Sequence, residues 1–207
     1  MFLLLATSSY AKLHNNGTDS LGNQLIYDDV LDITWYDYTN SLNTWQNQLD
    51  WADALSVDFG GTTFDDWRLP TTVAGPYVPG YDGSTTAGFN ITSSEMGYLF
   101  YTELGNNGAY DTSGVSQPDH GLENTGDFQN LFAGLYWSET EYYPDPGLAW
   151  HFNSNNGIQG FNVQQRLSYS IAVRDGNVTI PVVPEPISST LFLAGGSMLA
   201  FRRFTRS

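Results

Sequence analysis

Apolar positions come in short clusters along most of the chain, and helical spacing occurs twice. Trp45, Leu49, Ala52 and Leu55 fall three and four residues apart, which predicts a helix over residues 44–56 that ends before Gly60-Gly61. Thr92-Ser93-Ser94-Glu95 has the spacing of a capping box, in which Thr92 and Glu95 satisfy each other's backbone donors. Met96, Leu99, Phe100 and Leu104 continue that second helix, and Gly105 supplies its stop. The other apolar runs are too short for helices and predict strands over 24–27, 32–36, 67–69, 135–138, 148–153, 158–163 and 168–174. Asn155-Asn156-Gly157 joins two of them as a hairpin turn, because Asn and Gly tolerate positive φ. Residues 73–92 and 106–129 lack a pattern and predict long loops carrying Tyr77, Tyr81 and Phe89 in the first and Tyr110 and Phe128 in the second. Ordered loops of that length pack aromatic rings or bind something. The expected fold class is α+β, with two helices packed on a small antiparallel sheet with long loops, in one domain over 12–178.

The two ends depart from this pattern. Residues 1–11 begin with an apolar run and finish with Ser9-Tyr10-Ala11, small residues at the two positions a signal peptidase reads. They are read as part of a signal peptide, with a buried N-terminal strand as the alternative. Residues 179–183 form an extended linker, since Pro181 and Pro184 forbid a regular helix. Pro184, Glu185 and Pro186 then precede an apolar run over 187–201, closed by Arg202, Arg203 and Arg206. About 15 residues at 1.5 Å rise make a helix of about 22 Å, short of a ~30 Å hydrocarbon core. The arginines hold its end at the cytoplasmic face. A short C-terminal transmembrane helix within 184–207, resting transiently in the inner membrane, is therefore expected. The ordered combination of Pro-Glu-Pro, Gly-containing apolar run and Arg cluster resembles the PEP-CTERM sorting signal. That resemblance implies processing by an exosortase, a Gram-negative producer of extracellular polysaccharide, and a final place at the cell surface or in the extracellular matrix. A plain membrane anchor is the other reading, and both put the main domain outside the cytoplasm.

Charge narrows the partners. The 207 residues carry a formal net charge of −15, and residues 12–184 hold 21 acidic and 4 basic side chains, a net −17. Such a body repels phosphate backbones, so no nucleic-acid partner is expected. It attracts divalent cations, which leaves calcium possible, with no other cofactor expected. There is no cysteine, which excludes disulfides, thiolate metal sites and a cysteine nucleophile. Aromatic residues, 15% of the chain, must supply much of the core.

The most distinctive internal motif is Asp65-Asp66-Trp67-Arg68-Leu69-Pro70-Thr71. Trp67 and Leu69 alternate toward one face and Arg68 toward the other, where a lone cation among acids is expected to pair and hold loops in register. With Gly134-Leu135-Tyr136-Trp137-Ser138-Glu139-Thr140-Glu141-Tyr142, Ala149-Trp150-His151-Phe152-Asn153 and Ala172-Val173-Arg174-Asp175-Gly176, the motif resembles the Lcl C-terminal domain family, a surface domain of unknown function, over most of residues 20–176. The resemblance implies a C-type-lectin-like fold. Arg68-Leu69-Pro70-Thr71 also resembles the sulfatase-modifying family, whose oxidation needs cysteines that this chain lacks. Sugar recognition needs aromatic faces beside planar polar groups, and Tyr136, Trp137, Glu139, Glu141 and Trp150 are the candidate glycan contacts, with Tyr142, Tyr143 and Asn153 near them. The alternative for Trp137 and Trp150 is a Trp-rich core. Glu139, Glu141 and Asp145 are candidate calcium ligands, although the Glu-Pro-Asn loop and Trp-Asn-Asp strand of calcium-dependent lectins are absent. No metalloprotease, nucleophile-elbow, P-loop or dinucleotide motif occurs in the body, and His14, His120 and His151 lie far apart. These observations lead to an exported, non-catalytic surface or matrix protein associating with exopolysaccharide. A passive self-associating coat and a glycan hydrolase, which needs a carboxylate pair, are the alternatives.

Overall fold

Aspartates and glycines turn the start of the chain into a three-stranded meander. Strands β1 (Leu13–Thr18), β2 (Gln24–Asp28) and β3 (Ile33–Asn43) run antiparallel. Between β1 and β2, Asp19 Oδ1 accepts the N–H groups of Leu21 at 2.8 Å and Asn23 at 2.9 Å. Between β2 and β3, Asp28 Oδ1 accepts those of Val30 at 3.0 Å and Leu31 at 2.9 Å. This computed structural model describes residues 13–179. The signal-peptide reading of 1–11, and the sorting-tail and transmembrane reading of 184–207 with Pro184, Glu185, Pro186, Arg202 and Arg203, lie outside the described residues.

Helix α1 (Trp45–Asp53) is shorter than the spacing predicts, because Val57 already enters the next strand. Its buried face includes Gln48, which sequence periodicity missed: the amide accepts from Asn40 and donates to Ser41 O and Ser168 O, so its burial leaves no unmet polar atom. Strands β4 (Val57–Phe59) and β5 (Thr62–Phe64) form a separate hairpin over Gly60-Gly61. Two-residue strands β6 (Pro79–Gly80) and β7 (Ala87–Gly88) emerge from the first long loop. Helix α2 (Glu95–Tyr98) runs into a π-helical turn, Leu99–Glu103, and Gly105 ends it at φ 63°. The predicted capping box is not made. Ser94 caps the helix through Gly97 N–H, and the Glu95 carboxylate turns instead to Arg68.

Strands β8 (Leu135–Glu141), β9 (Leu148–Asn153), β10 (Ile158–Val163) and β11 (Ser168–Asp175) complete the fold, which is mainly β with two short helices. The expected small antiparallel sheet is instead nine-stranded and mixed, in the order β1-β2-β3-β11-β8-β9-β10-β7-β6. Antiparallel pairing fails at β11–β8 and at β6–β7, which run parallel. The cause is topological: the last described strand returns to the middle and lies between the N-terminal meander and the β8–β10 meander. Central strands are covered on both faces. Ile26, Trp35, Tyr136, Ile171 and Val173 face α2 and the π-helical turn, while Leu25, Tyr36 and Ala172 face the β4–β5 hairpin. Trp137 and Ala149 pack with Trp45 and Ala52 of α1.

The two halves of the sheet share a strand-pairing register at only one residue pair, Tyr169↔Tyr136. Beyond it β8 and β11 diverge, and the Asp65–Thr71 motif fills the gap. The predicted strand over 67–69 is therefore a single bridge: Arg68 and Val173 exchange N–H···O bonds of 2.8 and 2.9 Å. On the other flank Glu139 N–H donates to Pro70 O at 2.9 Å, where the β8–β9 register slips between Trp137 and Glu141. Trp67 and Leu69 drop into the core, 3% and 0% exposed, and Arg68 crosses to Glu95 in a two-pronged pair at 2.8 Å per bond, with a third bond to Asp175. Arg174 pairs with Asp66 in the same region.

The Arg68–Glu95 pair is largely shielded from water, whereas Asp66 is 57% exposed. Glu95→Ala leaves a half-buried guanidinium without its main partner and is expected to cost about 2 kcal/mol or more. Asp66→Asn should cost under about 1 kcal/mol. Urea midpoints of the two variants check this, and equal shifts would contradict the role given to Arg68.

Candidate functional site

Tyr136, Trp137 and Trp150 are each 0% exposed, so they offer no face to a sugar. This corrects the glycan-contact reading of Tyr136 and puts Trp137 and Trp150 in the Trp-rich core that is their other reading, because β8 and β9 are interior strands covered on both sides. Tyr136 hydrogen-bonds the Phe132 backbone through its hydroxyl, and Trp137 Nε1 donates to Asn43 O. Asp66, Trp67, Arg68, Leu69 and Pro70 form the seam described above. Glu139 and Glu141 are exposed, and Glu141 accepts from Gln164. Asp145 folds onto Gly147 N–H in its own turn. Among the described residues no group of three or more His, Asp or Glu side chains is placed to hold a metal ion, so the candidate calcium ligands Glu139, Glu141 and Asp145 do not assemble into a set.

A groove of about 300 Å³ lies elsewhere, at the β6–β7 edge of the sheet, lined by Tyr77, Pro79, Tyr81, Phe89 and Ile158 over a floor of Gly80 and Gly88. The floor needs glycine. Gly88 has φ 101°, and a Cβ there would fall 2.0 Å from Gly80 O. Tyr77 and Tyr81 remain 42% and 46% exposed, yet both rings are held. Tyr77 meets Phe161 edge-on at 4.9 Å, Phe161 stacks on Tyr142 at 4.3 Å, and Tyr142 rests against buried Trp150 at 5.6 Å. Trp150 thus supports the groove through two intervening rings. Tyr81 lies parallel to Phe89 at 5.9 Å and within 5.2 Å of Tyr110 from the second long loop. Asn90, in the left-handed region at φ 58°, ties the two loops by donating to both Tyr81 O and Tyr110 O. The loop aromatics were visible in sequence. Their convergence was not, because it depends on Asn90 and on β7 pairing with β10.

A second groove, of about 310 Å³, lies beside the seam and is lined by Asp50, Asp53, Arg68 and Glu139 among others. Partial desolvation against the groove wall raises the Glu139 carboxyl above its ordinary range although the residue is exposed, while Arg68 acts the other way. Two further groups titrate away from their ordinary ranges. His151 is buried with Nδ1 unpartnered, and burial, aided by the charge of Arg166, pushes it down to about 4. Burial, with the charges of Asp28 and Asp29, pushes Glu103 up to about 7. Asp28 Oδ2 and Glu103 Oε1 are both buried without a hydrogen-bond partner. Comparison with family models, with curated proteins and with solved structures finds no match.

The signs of these two groups oppose. The stability that depends on neutral His151 is present above about pH 6.5 and is lost as pH falls toward 4, about 3 kcal/mol in all. Glu103 favours folding in its protonated form, a contribution present below its ordinary range and lost as pH rises through about 7. Glu103→Gln should therefore raise the melting temperature at pH about 8 and leave it unchanged at pH about 4, while His151→Gln should flatten the acid limb. Thermal melts across pH measure both, and stabilisation by Glu103→Gln at the acid end would refute the assignment.

Proposed function

We propose that the described domain is a non-catalytic glycan-binding module of an exported surface or matrix protein, and that its contact face is the aromatic groove at the β6–β7 edge. The observation that carries this reading is two half-exposed, pre-ordered tyrosines on one groove of the first long loop, with Tyr110 of the second loop packed against Tyr81. Fixed rings bind apolar sugar faces with little ordering cost. The lining itself holds no carboxyl or imidazole group, and the carboxylates that follow its tyrosines in the two loops, Asp82 and Asp111, are each engaged in a turn of their own. Kinship with the Lcl-like, C-type-lectin-like domains remains part of this proposal. Its support is that the four motif segments meet at one seam, through Arg68–Val173, Pro70–Glu139 and the β8–β9 ladder. The hydrolase alternative would use the second groove, where Glu139 has a raised carboxyl beside Asp50 and Asp53.

Affinity electrophoresis of the full chain through gels containing β-glucan, chitin-derived or uronate polysaccharides tests the binding reading. Retardation by at least one polysaccharide is expected, and Tyr77→Ala with Tyr81→Ala should weaken it tenfold or more, about 1.4 kcal/mol, in a chain whose circular dichroism spectrum stays that of the unaltered protein. Retardation by none, or retardation indifferent to both tyrosines, ends the proposal. Product release from the same polysaccharides, lost in Glu139→Gln, would favour the hydrolase.

Export by an exosortase is proposed from the tail motif alone. A reporter carrying residues 180–207 should be processed and leave the inner membrane, and removal of Pro184, Glu185 and Pro186 should trap it there. Fractionation that is the same with and without the three residues would leave a plain anchor as the reading.

A further inference from the structure

We infer that the groove prefers a polysaccharide bearing free amino groups, read as ammonium by Asp82 and Asp111 beside the aromatic rings. This rests on the glycan-binding reading and names the class of chain bound. Asp82 directly follows Tyr81, and Asp111 directly follows Tyr110, the ring 5.2 Å from Tyr81. The Asp111 turn also reaches the groove wall, since a Cβ on Gly114 would lie 3.2 Å from the Tyr81 ring. Both carboxylates are fixed by their own loops. Asp82 Oδ1 accepts the Ser84 hydroxyl at 2.7 Å and its N–H at 3.0 Å, which holds that carboxyl below its ordinary range. Asp111 Oδ1 accepts the N–H groups of Ser113 and Val115 at 2.9 Å each. In each case the turn engages Oδ1.

Charge complementarity sets the preference. None of the groove-lining residues is basic. Among the described residues Arg68 and Arg174 are held in ion pairs, and Arg166 follows the far end of β10 from Ile158. A uronate or sulfated chain would meet only like charge there, and a neutral chain would gain the rings alone. An amino-sugar chain gains the rings, the two carboxylates and the attraction of its ammonium groups to tyrosine faces.

Diffuse attraction of any polycation to an acidic protein must be separated from binding in the groove. Titration calorimetry of the full chain at mildly acidic pH and moderate salt, with glucosamine hexamer, cellohexaose and oligoguluronate as probes, does so. The glucosamine hexamer is expected to bind at least tenfold tighter than cellohexaose, and oligoguluronate weakest. Asp82→Asn with Asp111→Asn keeps the Oδ1 acceptors that hold the loops. It should bring the glucosamine hexamer down to the level of cellohexaose while leaving cellohexaose unchanged. Equal affinity of the two hexamers in the unaltered chain overturns the preference but leaves the glycan-binding reading standing. So does an amino preference that survives the Asn pair, or that survives Tyr77→Ala with Tyr81→Ala, because it then belongs to the surface at large. Binding of none of the three probes removes this inference together with the reading on which it rests.

Discussion

The fold depends on one join, the insertion of Trp67–Pro70 where β8 and β11 part. Without it the nine-stranded sheet is two meanders connected at Tyr169↔Tyr136, with open backbone groups on both flanks of the gap. The motif meets each requirement of that gap with a different residue. The Arg68 backbone pairs with Val173, Pro70 O accepts from Glu139, and the Trp67 and Leu69 side chains seal the interior. Proline is tolerated at position 70 because only its carbonyl is used there. The Arg68 guanidinium then fastens α2 to the seam through Glu95, so helix and sheet halves are held by one side chain.

That economy follows from composition. The described residues include three arginines, and two of them are committed around the seam. Buried acids elsewhere must find neutral partners. Asp37, fully buried, accepts the N–H groups of Gln129 and Asn130 at 2.8 and 3.0 Å and so pins the end of the second long loop to β3. Asp28 and Asp19 do the same work in their turns. Backbone N–H groups stand in for cations, at the cost of desolvation that raises the Asp28 and Asp37 carboxyls. The acidic surplus therefore lies mostly on the surface.

Local pattern made the elements legible and left their assembly obscure. The strands over 148–153 and 158–163 and their Asn-Asn-Gly turn follow from alternation and turn chemistry alone. Arg68 was legible as a paired cation, but not its partner, because Glu95 reads equally well as a capping residue when its neighbours in space are unknown. Sheet order was illegible for a related reason. The placement of β11 in the middle follows from burial of Ile171, Ala172 and Val173 on both faces, and a run of apolar residues does not say which strands flank it. For the site, aromatic content pointed to Trp137 and Trp150, yet those rings are large enough that the core takes them first. The half-exposed tyrosines sit in segments without periodicity, where sequence offers composition and no geometry.

The edges of the sheet bear on the choice between a binding module and a self-associating coat. A coat built by strand addition needs a long, flat, unpaired edge. At one edge β6 is two residues long and one of them is Pro79, which has no N–H to give. At the other, β1 slips register between Asn15 and Thr18, and Gly17 takes φ 107°, which bends the strand away from a flat template. Both described edges thus resist growth of the sheet, so association through strands is disfavoured and a coat would have to form through side chains. The side chains exposed at the β6 edge include Tyr77 and Tyr81, both held by ring contacts, and Asp82 follows Tyr81. Two copies meeting there would bring Asp82 and Asp111 of each together, a like-charge contact that disfavours self-docking.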